Sequence, residues 1–368
     1  MKMKKVLYII SSTVISSSPV GLRIKQWANY LNVATDVYVM GRMPVQKFNI
    51  YKRIFLHVLL KLKVVPDRDV FFIPFYKHKI KKTVQNQSFD MACIQTLPFS
   101  NYYLCPFIKK VSPHTQIIVD MSDPLVINAG FQAMSAKQQK KLKEIEDTCF
   151  SYIDYLIVLN EEIKNYYLAL PHPPKNCMVV EQGISDNWEM KNSIMDLSLK
   201  EEVKFMYAGR FYKSIREPYE LYQAFTQNHK NISLTLFSDF NRYPEFSPPQ
   251  QIKISCKQPV QQNQILQEYQ KYDVMVFIDN QDNYQVPGKL FELLATSKPI
   301  LFIYTNSKSP SLKYIHKEEG VFIAINNEVD IASAIEDILK TGKSSYQRDT
   351  KKYTWEYLFK RLDFLFKD

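Results

Sequence analysis

Short apolar runs alternate along the chain with stretches in which apolar residues recur every three or four positions. The short runs predict buried strands, and the longer spacing predicts helices that cover them. The first half contains strand candidates over Val6–Ile10, Val37–Met40, Met91–Gln95, Ile117–Asp120, Tyr155–Leu159 and Met178–Val180. The same alternation begins again in the second half, with strand candidates over Val203–Tyr207, Ile232–Phe237, Val274–Ile278, Ile300–Ile303 and Val321–Ile325.

Helical patterns lie between the strands, over Leu22–Leu31, Ile54–Leu62, Ser135–Tyr152, Glu161–Leu170, Pro218–Thr226, Pro259–Tyr272, Lys289–Ala295 and Asp330–Leu339. This alternation predicts an α/β protein with two Rossmann-like, doubly wound domains, residues 1–187 and 200–350. A closing amphipathic helix is expected over Tyr353–Phe366. The carboxyl ends of two such sheets can face each other across a cleft, so functional residues are sought just after strands.

Charge and composition narrow the classes of partner. Among 368 residues, Lys and Arg number 48 against 37 Asp and Glu, a net charge of +11. This surplus favours polyanions, anionic membrane surfaces or small molecules that carry phosphate. No RNA-binding signature, zinc-finger spacing or Arg-rich tail is present, so nucleic acid is not expected. Five widely spread cysteines without a C-x-x-C motif indicate reduced core residues of a cytoplasmic protein.

Membrane contact, if any, is expected to be peripheral. No apolar stretch approaches the roughly 18–20 residues of a membrane span. The run Val6–Ile10 follows a basic start but is short, which favours a first strand over a secretion signal. The basic segments Ile54–Lys63 and Lys77–Lys82 could dock on anionic lipid, or they could be solvated helix faces.

The first candidate motif follows the strand Val203–Tyr207. The chain has only 8 glycines, and Gly209 allows a tight turn there. Arg210, Lys213 and Arg216 follow, and together they could neutralise a diphosphate. The alternative is a solvated basic loop.

The second candidate motif follows the strand Val274–Ile278. A polar loop leads through Pro287 and Gly288 into a helix that carries Lys289 and Glu292 on one face. Backbone N–H groups near Gly288 could bind a phosphate, and the Glu292 carboxylate could accept hydrogen bonds from both ribose hydroxyls. The alternative is an ordinary surface ion pair between Lys289 and Glu292.

Together, Val203–Pro218 and Val286–Ile300 resemble the donor half of the retaining GT-B glycosyltransferases, the large group-1 family. Typical members carry Gly-Arg and a further cation to bind the nucleotide diphosphate. They also carry two glutamates seven residues apart, of which the second binds ribose. Glu292 matches that second glutamate, and Tyr284 stands where the first is expected. The segment Pro287–Ala295 resembles the variant found in bacterial surface-polysaccharide transferases.

The first half supports the same resemblance. Gly21 lies where the family has a small glycine loop that approaches the donor phosphates, and Thr96–Ser100 resembles its small-Pro-x-Ser turn. Asp120–Pro124 resembles the Asp-x-Arg-Asp or His-Asp element at the acceptor edge, with Ser122 replacing the usual His or Arg, and this gives Asp123 its candidate role. Glu181–Ser185 resembles the turn that ends the first domain. Trp355 and Glu356 resemble the start of a C-terminal helix, residues 351–368, that packs back on the N-terminal domain.

The resemblance implies a metal-independent, hexosyltransferase-like enzyme with no resident cofactor. Its donor is expected to be a nucleotide-diphosphate sugar, most readily a UDP-sugar, and its acceptor a growing surface glycan or lipid-linked saccharide. Retention at the anomeric carbon and a cytoplasmic location, peripheral on the inner face of the membrane, are implied with it. The implied catalytic residues are Asp123, Arg210 and Arg216. The implied donor-binding residues are Gly21, Gly209, Lys213, Gly288, Lys289 and Glu292.

Two alternatives stay open, and a third, a metal-dependent site, is not favoured. A sugar-nucleotide epimerase can share this two-domain fold. A degenerate transferase that binds glycan or supports an active subunit is consistent with Tyr284 and Ser122. Asp67-Arg68-Asp69 matches the Asp-x-Asp pattern by which another glycosyltransferase class binds Mn²⁺ or Mg²⁺, but it precedes the strand-like Val70–Ile73 instead of ending a strand. No metal site is therefore expected.

Overall fold

The computed structural model describes residues 3–10, 19–41, 64–128, 131, 134–186, 196–227, 231–250, 253–261 and 264–366. The chain divides into two compact units. Unit 1 comprises Met1–Gln182 together with Trp355–Asp368, and unit 2 comprises Gly183–Thr354. The predicted helix over Ile54–Leu62, with the basic segment that contains it, lies outside the described residues.

Unit 1 is built on a parallel sheet of six strands. The strands are β1 (Lys5–Ile9), β2 (Asp36–Met40), β3 (Met91–Gln95), β4 (Gln116–Asp120), β5 (Tyr155–Val158) and β6 (Cys177–Val179). Their order is β2-β1-β3-β4-β5-β6. All five residues of β3 are buried, as expected of a central strand that is covered on both faces.

The described helices of unit 1 that precede β6 are α1 (Pro19–Ala34), α2 (Ile73–Asn86), α3 (Leu104–Val111), α4 (Ala136–Cys149) and α5 (Glu161–Leu168). Polar side chains start two of them. At α4 the Ser135 hydroxyl accepts from the Gln138 N–H, and the Gln138 side chain accepts from the Ser135 N–H. At α5 the Asn160 side chain accepts from the Ile163 N–H at 2.9 Å.

Unit 2 has a second parallel six-stranded sheet. Its strands are β7 (Val203–Ala208), β8 (Ile232–Phe237), β9 (Ile254–Lys257), β10 (Val274–Ile278), β11 (Ile300–Tyr304) and β12 (Val321–Ile325). Its described helices are α6 (Tyr219–Gln227), α7 (Ile265–Gln270), α8 (Lys289–Leu294), α9 (Ser311–Ile315) and α10 (Glu328–Thr341). The strand order is β12-β11-β10-β7-β8-β9, so the winding direction reverses between β7 and β10.

The last described segment forms α11 (Trp355–Lys360) and α12 (Asp363–Phe366), which belong to unit 1. The buried Trp27 ring of α1 is the centre of this packing. It lies 4.9 Å from the Phe359 ring and 6.2 Å from the Phe366 ring, measured between centroids. The Tyr30 hydroxyl donates to the Asp363 carboxylate at 2.6 Å. The segment therefore completes the core of unit 1.

The predicted α/β fold class of two doubly wound domains is confirmed, and all eleven predicted strands are present with ends that move by at most one residue. The edge strand β9 was not predicted, because only its first residue is buried. The predicted helix over Pro259–Tyr272 is too long, since α7 covers only Ile265–Gln270. The closing helix is divided into α11 and α12.

Three further expectations are wrong. Val70–Ile73 is not a strand: a 3₁₀ turn over Arg68–Phe72 leads into α2, because the Asp67 carboxylate accepts the Asp69 N–H at 2.9 Å and starts the turn. Gly21 does not lie in a loop but in the first turn of α1, where it is buried. Not every cysteine is a core residue, since Cys256 on the edge strand β9 is exposed.

Candidate functional site

The reversal of winding between β7 and β10 marks the place in unit 2 where a doubly wound sheet binds ligands. The crevice lies beyond the carboxyl ends of the two strands on either side of the reversal. The loops that follow β7 and β10 are joined there by two hydrogen bonds. The Gln281 N–H donates to the Ile215 carbonyl at 3.1 Å, and the Arg216 guanidinium donates to the Asn280 side chain at 2.6 Å. The two sequence motifs that follow these strands therefore meet at one end of the sheet.

The loop after β7 is a tight turn. Gly209 donates its N–H to the Phe237 carbonyl at 3.1 Å, and a Cβ atom at this position would stand 2.9 Å from the Tyr207 hydroxyl oxygen. The backbones of Tyr212 and Arg216 exchange hydrogen bonds of 2.9 and 2.8 Å. Ser214 closes the turn with a positive φ of 59°. A glycine is needed at position 209 because the Tyr207 side chain occupies the space beside it.

The cations of this loop differ in their surroundings. Arg210 and Lys213 are exposed, and a hydrogen bond to Tyr212 keeps the pKa of Arg210 above its ordinary value. Arg216 is partly buried, and its Nε–H has no hydrogen-bond partner among the described residues. A buried donor without an acceptor costs about 1–3 kcal/mol, so an acceptor oxygen from a ligand would stabilise this arrangement.

The loop after β10 is rigidly built. The Asp282 carboxylate accepts the backbone N–H groups of Tyr284 and Gln285 at 2.8 and 2.6 Å. The Asn306 side chain donates to the Asp282 carbonyl at 3.1 Å. The chain then passes through Gly288, which has helical backbone angles, into α8.

Lys289 and Glu292 form the ion pair that the spacing allows. The Lys289 ammonium lies 2.6 Å from the Glu292 carboxylate and 3.1 Å from the Tyr269 hydroxyl. The Tyr269 hydroxyl in turn donates to Glu292 at 3.3 Å. Burial lowers the pKa of Lys289, but Glu292 and Tyr269 outweigh that effect and hold it above its ordinary value. Burial raises the pKa of the Tyr207 hydroxyl, and the Arg216 and Lys289 cations oppose the rise, so both cations face this hydroxyl.

Asp279, the residue directly after β10, was not singled out from the sequence. Its carboxylate is buried and accepts the hydroxyls of Ser309 and Ser311 at 2.5 and 2.8 Å. Burial raises its pKa to about 6, although both hydroxyls and Arg216 oppose the rise. Asp279 thereby links the loop after β11 to the end of β10. Asp279 could have been identified from the sequence as an acidic residue directly after the apolar run Val274–Ile278.

In unit 1 the end of β4 carries a buried ion pair that sequence reasoning missed. The Arg23 side chain of α1 is fully buried, and its Nε and Nη2 atoms lie 2.6–3.0 Å from the two oxygens of Asp120. Its Nη1 atom donates to the Glu181 carbonyl at 2.8 Å. An arginine in an otherwise apolar helix face was the available signal.

Asp123 lies three residues beyond this ion pair, and Gly21 lies two residues before Arg23. Burial raises the pKa of Asp123 to about 6. The neighbouring Ser122 hydroxyl is buried and has no partner among the described residues. The same edge of unit 1 therefore contains Gly21, Ser122 and Asp123. The other predicted site residues all belong to unit 2: Gly209, Arg210, Lys213, Arg216, Gly288, Lys289 and Glu292.

The Asp-x-Asp segment is used for local structure. Besides capping the turn, the Asp67 carboxylate accepts the Ser100 N–H at 2.8 Å. Within the described ranges, no group of three or more His, Cys, Asp or Glu side chains is placed to hold a metal ion. No helix in the described part of the chain is long and apolar enough to cross a membrane.

No known family profile and no curated protein matches this chain. Its structure is similar to that of sucrose-phosphate synthase from Thermosynechococcus elongatus, with a TM-score of 0.68, 12% identity and 98% of both chains covered. The lipopolysaccharide outer core galactosyltransferase WaaB gives a TM-score of 0.63 at 12% identity, again over 98% of both chains. A protein from Listeria monocytogenes described as a candidate UDP-N-acetylglucosamine 2-epimerase gives 0.54 at 7% identity, over 99% of this chain and 95% of that one. The likeness shows an α/β fold of the GT-B type.

Proposed function

We propose that this chain is a glycosyltransferase that moves a sugar from a nucleotide-diphosphate sugar to a growing surface glycan or lipid-linked saccharide. The observation that carries the proposal is the joining of the two loops at the winding reversal of unit 2. They bring three cations, a glycine turn and the start of α8 to the place where such sheets bind phosphate-bearing ligands. Two of the similar structures are sugar transferases, which supports this class of reaction.

In the proposed donor site, Arg210, Lys213 and Arg216 bind the diphosphate. The unsatisfied Nε–H of Arg216 is the donor best prepared for a phosphate oxygen, because its buried position gives it no other acceptor among the described residues. Gly209 and Gly288 keep the backbone free of side chains near the phosphates, and the ion pair with Lys289 holds the Glu292 side chain in place for the ribose hydroxyls. The cations supply the charge that stabilises the departing diphosphate, so we propose a reaction that needs no divalent metal.

In unit 1 we propose that the Asp123 carboxylate accepts a hydrogen bond from the acceptor hydroxyl, with the buried Ser122 hydroxyl beside it. The acceptor attacks the anomeric carbon from the face that the diphosphate leaves, which gives net retention. We propose a UDP-sugar as the donor, because the sugar named for the Listeria monocytogenes neighbour is also carried on UDP.

Peripheral attachment to an anionic membrane is proposed for the face of unit 1 that carries α2. This helix contains four lysines, Lys77, Lys79, Lys81 and Lys82, and no acidic residue. Phe71, in the turn before this helix, and Phe75, in its first turn, are 44% and 46% exposed. Lysines beside exposed aromatic rings are attracted to anionic lipid by about 1 kcal/mol each near the surface. Sedimentation with phosphatidylglycerol vesicles should recover the protein, and phosphatidylcholine vesicles should not.

The test of the function is release of UDP from UDP-sugars with and without lipid-linked saccharide acceptors. The proposal expects acceptor-dependent release that survives a metal chelator, and a product with the anomeric configuration of the donor by NMR. Lys213→Gln should slow release, whereas the matched change Lys340→Gln on the exposed end of α10 should not. An inverted product contradicts the retaining mechanism, and loss of activity with the chelator contradicts metal independence.

An epimerase is the second candidate, because the Listeria monocytogenes neighbour has that description. It predicts a changed sugar that stays on the nucleotide, with no UDP release that depends on acceptor. A non-catalytic binding subunit, which Tyr284 at the position of the first family glutamate would allow, predicts UDP-sugar or glycan binding without either product.

A further inference from the structure

Glu146 is a buried carboxylate in unit 1 that the proposed reaction does not use. It lies in the last turns of α4 and is 2% exposed. Its two oxygens accept the hydroxyls of Tyr167 and Tyr166 at 3.1 and 3.2 Å. The backbone N–H of Val126 also donates to it. Burial raises its pKa to about 7 against the effect of these three donors.

These contacts lead directly to the segment that follows Asp123. The Tyr167 hydroxyl accepts the backbone N–H of Leu125 at 3.0 Å while it donates to Glu146. Glu146 therefore holds two consecutive backbone N–H groups, that of Val126 directly and that of Leu125 through Tyr167. On the other side of the turn, the Asn128 side chain donates to the carbonyls of Pro124 and Leu125 at 3.2 and 2.7 Å. The backbone just beyond Asp123 is thus bound from both sides.

We propose that Glu146 is a positioning residue for Asp123, which it holds in place through Tyr167 and the backbone of Leu125 and Val126. Residues 121–128 form no helix or strand, so side chains provide hydrogen-bond partners for backbone groups that regular secondary structure would otherwise satisfy. A buried carboxylate is suited to this task because it accepts several hydrogen bonds at once, here from the Tyr167 hydroxyl and from the Val126 N–H. The inference rests on the proposed function only where it assigns Asp123 to the acceptor.

The experiment compares three variants of the full chain. Glu146→Gln removes one of the two carboxylate oxygens, and Tyr167→Phe removes the acceptor of the Leu125 N–H. Tyr166→Phe is the matched control, because the Tyr166 hydroxyl donates to the same carboxylate, whereas the Leu125 N–H donates to Tyr167 and the Val126 N–H to Glu146. Amide exchange at Leu125 and Val126, the pKa of Asp123 by NMR, and kcat with donor KM are measured for each.

Glu146→Gln and Tyr167→Phe should speed exchange at both amides by about tenfold or more. The pKa of Asp123 should fall from about 6 toward its ordinary value of 3.8, since a loosened segment lets water reach the carboxyl. The kcat should fall by about tenfold while donor KM stays constant, because unit 2 is unchanged. Tyr166→Phe should leave all of these quantities at their wild-type values.

Unchanged exchange and an unchanged pKa of Asp123 in folded Tyr167→Phe would overturn the inference, and so would equal effects of Tyr166→Phe and Tyr167→Phe. If Glu146→Gln does not fold, Tyr167→Phe and its control still give the answer. If the wild-type chain transfers no sugar, the proposed function has failed. The exchange rates and the pKa of Asp123 then decide the positioning role by themselves.

Discussion

Replacing Arg23 with methionine should lower the stability of unit 1 by removing the cation from a fully buried ion pair. The Arg23 guanidinium makes a forked contact with Asp120, donates to the Glu181 carbonyl and lies 5.7 Å from the centre of the Trp355 ring. Methionine fills part of the same volume but leaves the Asp120 carboxylate buried without its partner. The substitution therefore leaves the Asp120 carboxylate without a cation in a buried position that water does not reach.

The size of the effect follows from that isolation. Breaking a buried pair by removing one partner costs about 3–5 kcal/mol, more than the pair contributes relative to apolar residues. For a unit of this length, each kcal/mol shifts the melting temperature by about 2–4 °C. Multiplying the two ranges gives a decrease of about 6–20 °C in the melting temperature of unit 1.

Differential scanning calorimetry measures this decrease, and the unfolding of unit 2 serves as the internal reference. The double variant Arg23→Met, Asp120→Leu should recover most of the loss, because it removes the Asp120 charge that the single change leaves buried without a partner. Glu356→Gln, which breaks the exposed pair with Lys360, is the matched control and should leave the melting temperature unchanged. A double variant that melts as low as the single one would refute the reasoning, since the loss would then come from packing and not from charge.

Three further predictions concern unit 2. Glu292→Gln should weaken UDP binding about tenfold by calorimetric titration, a loss of about 1.4 kcal/mol, with little change in melting temperature. If it binds UDP normally but melts several degrees lower, Glu292 is only the structural partner of Lys289. Arg216→Ala should weaken UDP far more than uridine, and equal losses for both would place Arg216 away from the diphosphate. The pKa of Asp279 is raised from 3.8 to about 6, so the protonated carboxyl group favours the folded state. This contribution to the stability of unit 2 is complete below pH 3.8 and is lost as the pH rises through 6. Asp279→Asn should make the free energy of unfolding of unit 2 less dependent on pH, by about 3 kcal/mol in total. A variant whose melting temperature changes between pH 4 and 8 as much as that of the wild type would contradict this prediction.

The sequence predicted most of the fold because central parallel strands are continuous apolar runs. β3 and β10 are buried at every position, and both were predicted with their observed ends. β9 escaped prediction for the opposite reason: three of its four residues are exposed, so it lacks an apolar run. Val70–Ile73 was misread because Asp67, which precedes it, is a cap whose hydrogen bond favours a helical turn.

Some residues of the candidate site could likewise be found from the sequence, and others could not. Gly209 and Gly288 could be found because each combines a rare residue with a place after a predicted strand. Arg23 and Asp120 stand 97 positions apart, and Glu146 stands 20 positions before Tyr166, so their pairing depends on how the elements pack. No local pattern along the chain contains that information. The proposed roles of the individual site residues remain predictions for the experiments above.

The return of the last described segment to unit 1 has a consequence for the order of events during synthesis. Unit 2 is inserted between two parts of unit 1, and the chain enters and leaves it side by side, with the Ile184 N–H bonded to the Tyr353 carbonyl at 2.9 Å. While a ribosome is still adding residues, unit 2 has all of its strands before Trp355 emerges. Unit 1 begins first but must wait for residues 355–366 to cover Trp27. The unit that is started first is therefore the one that is finished last.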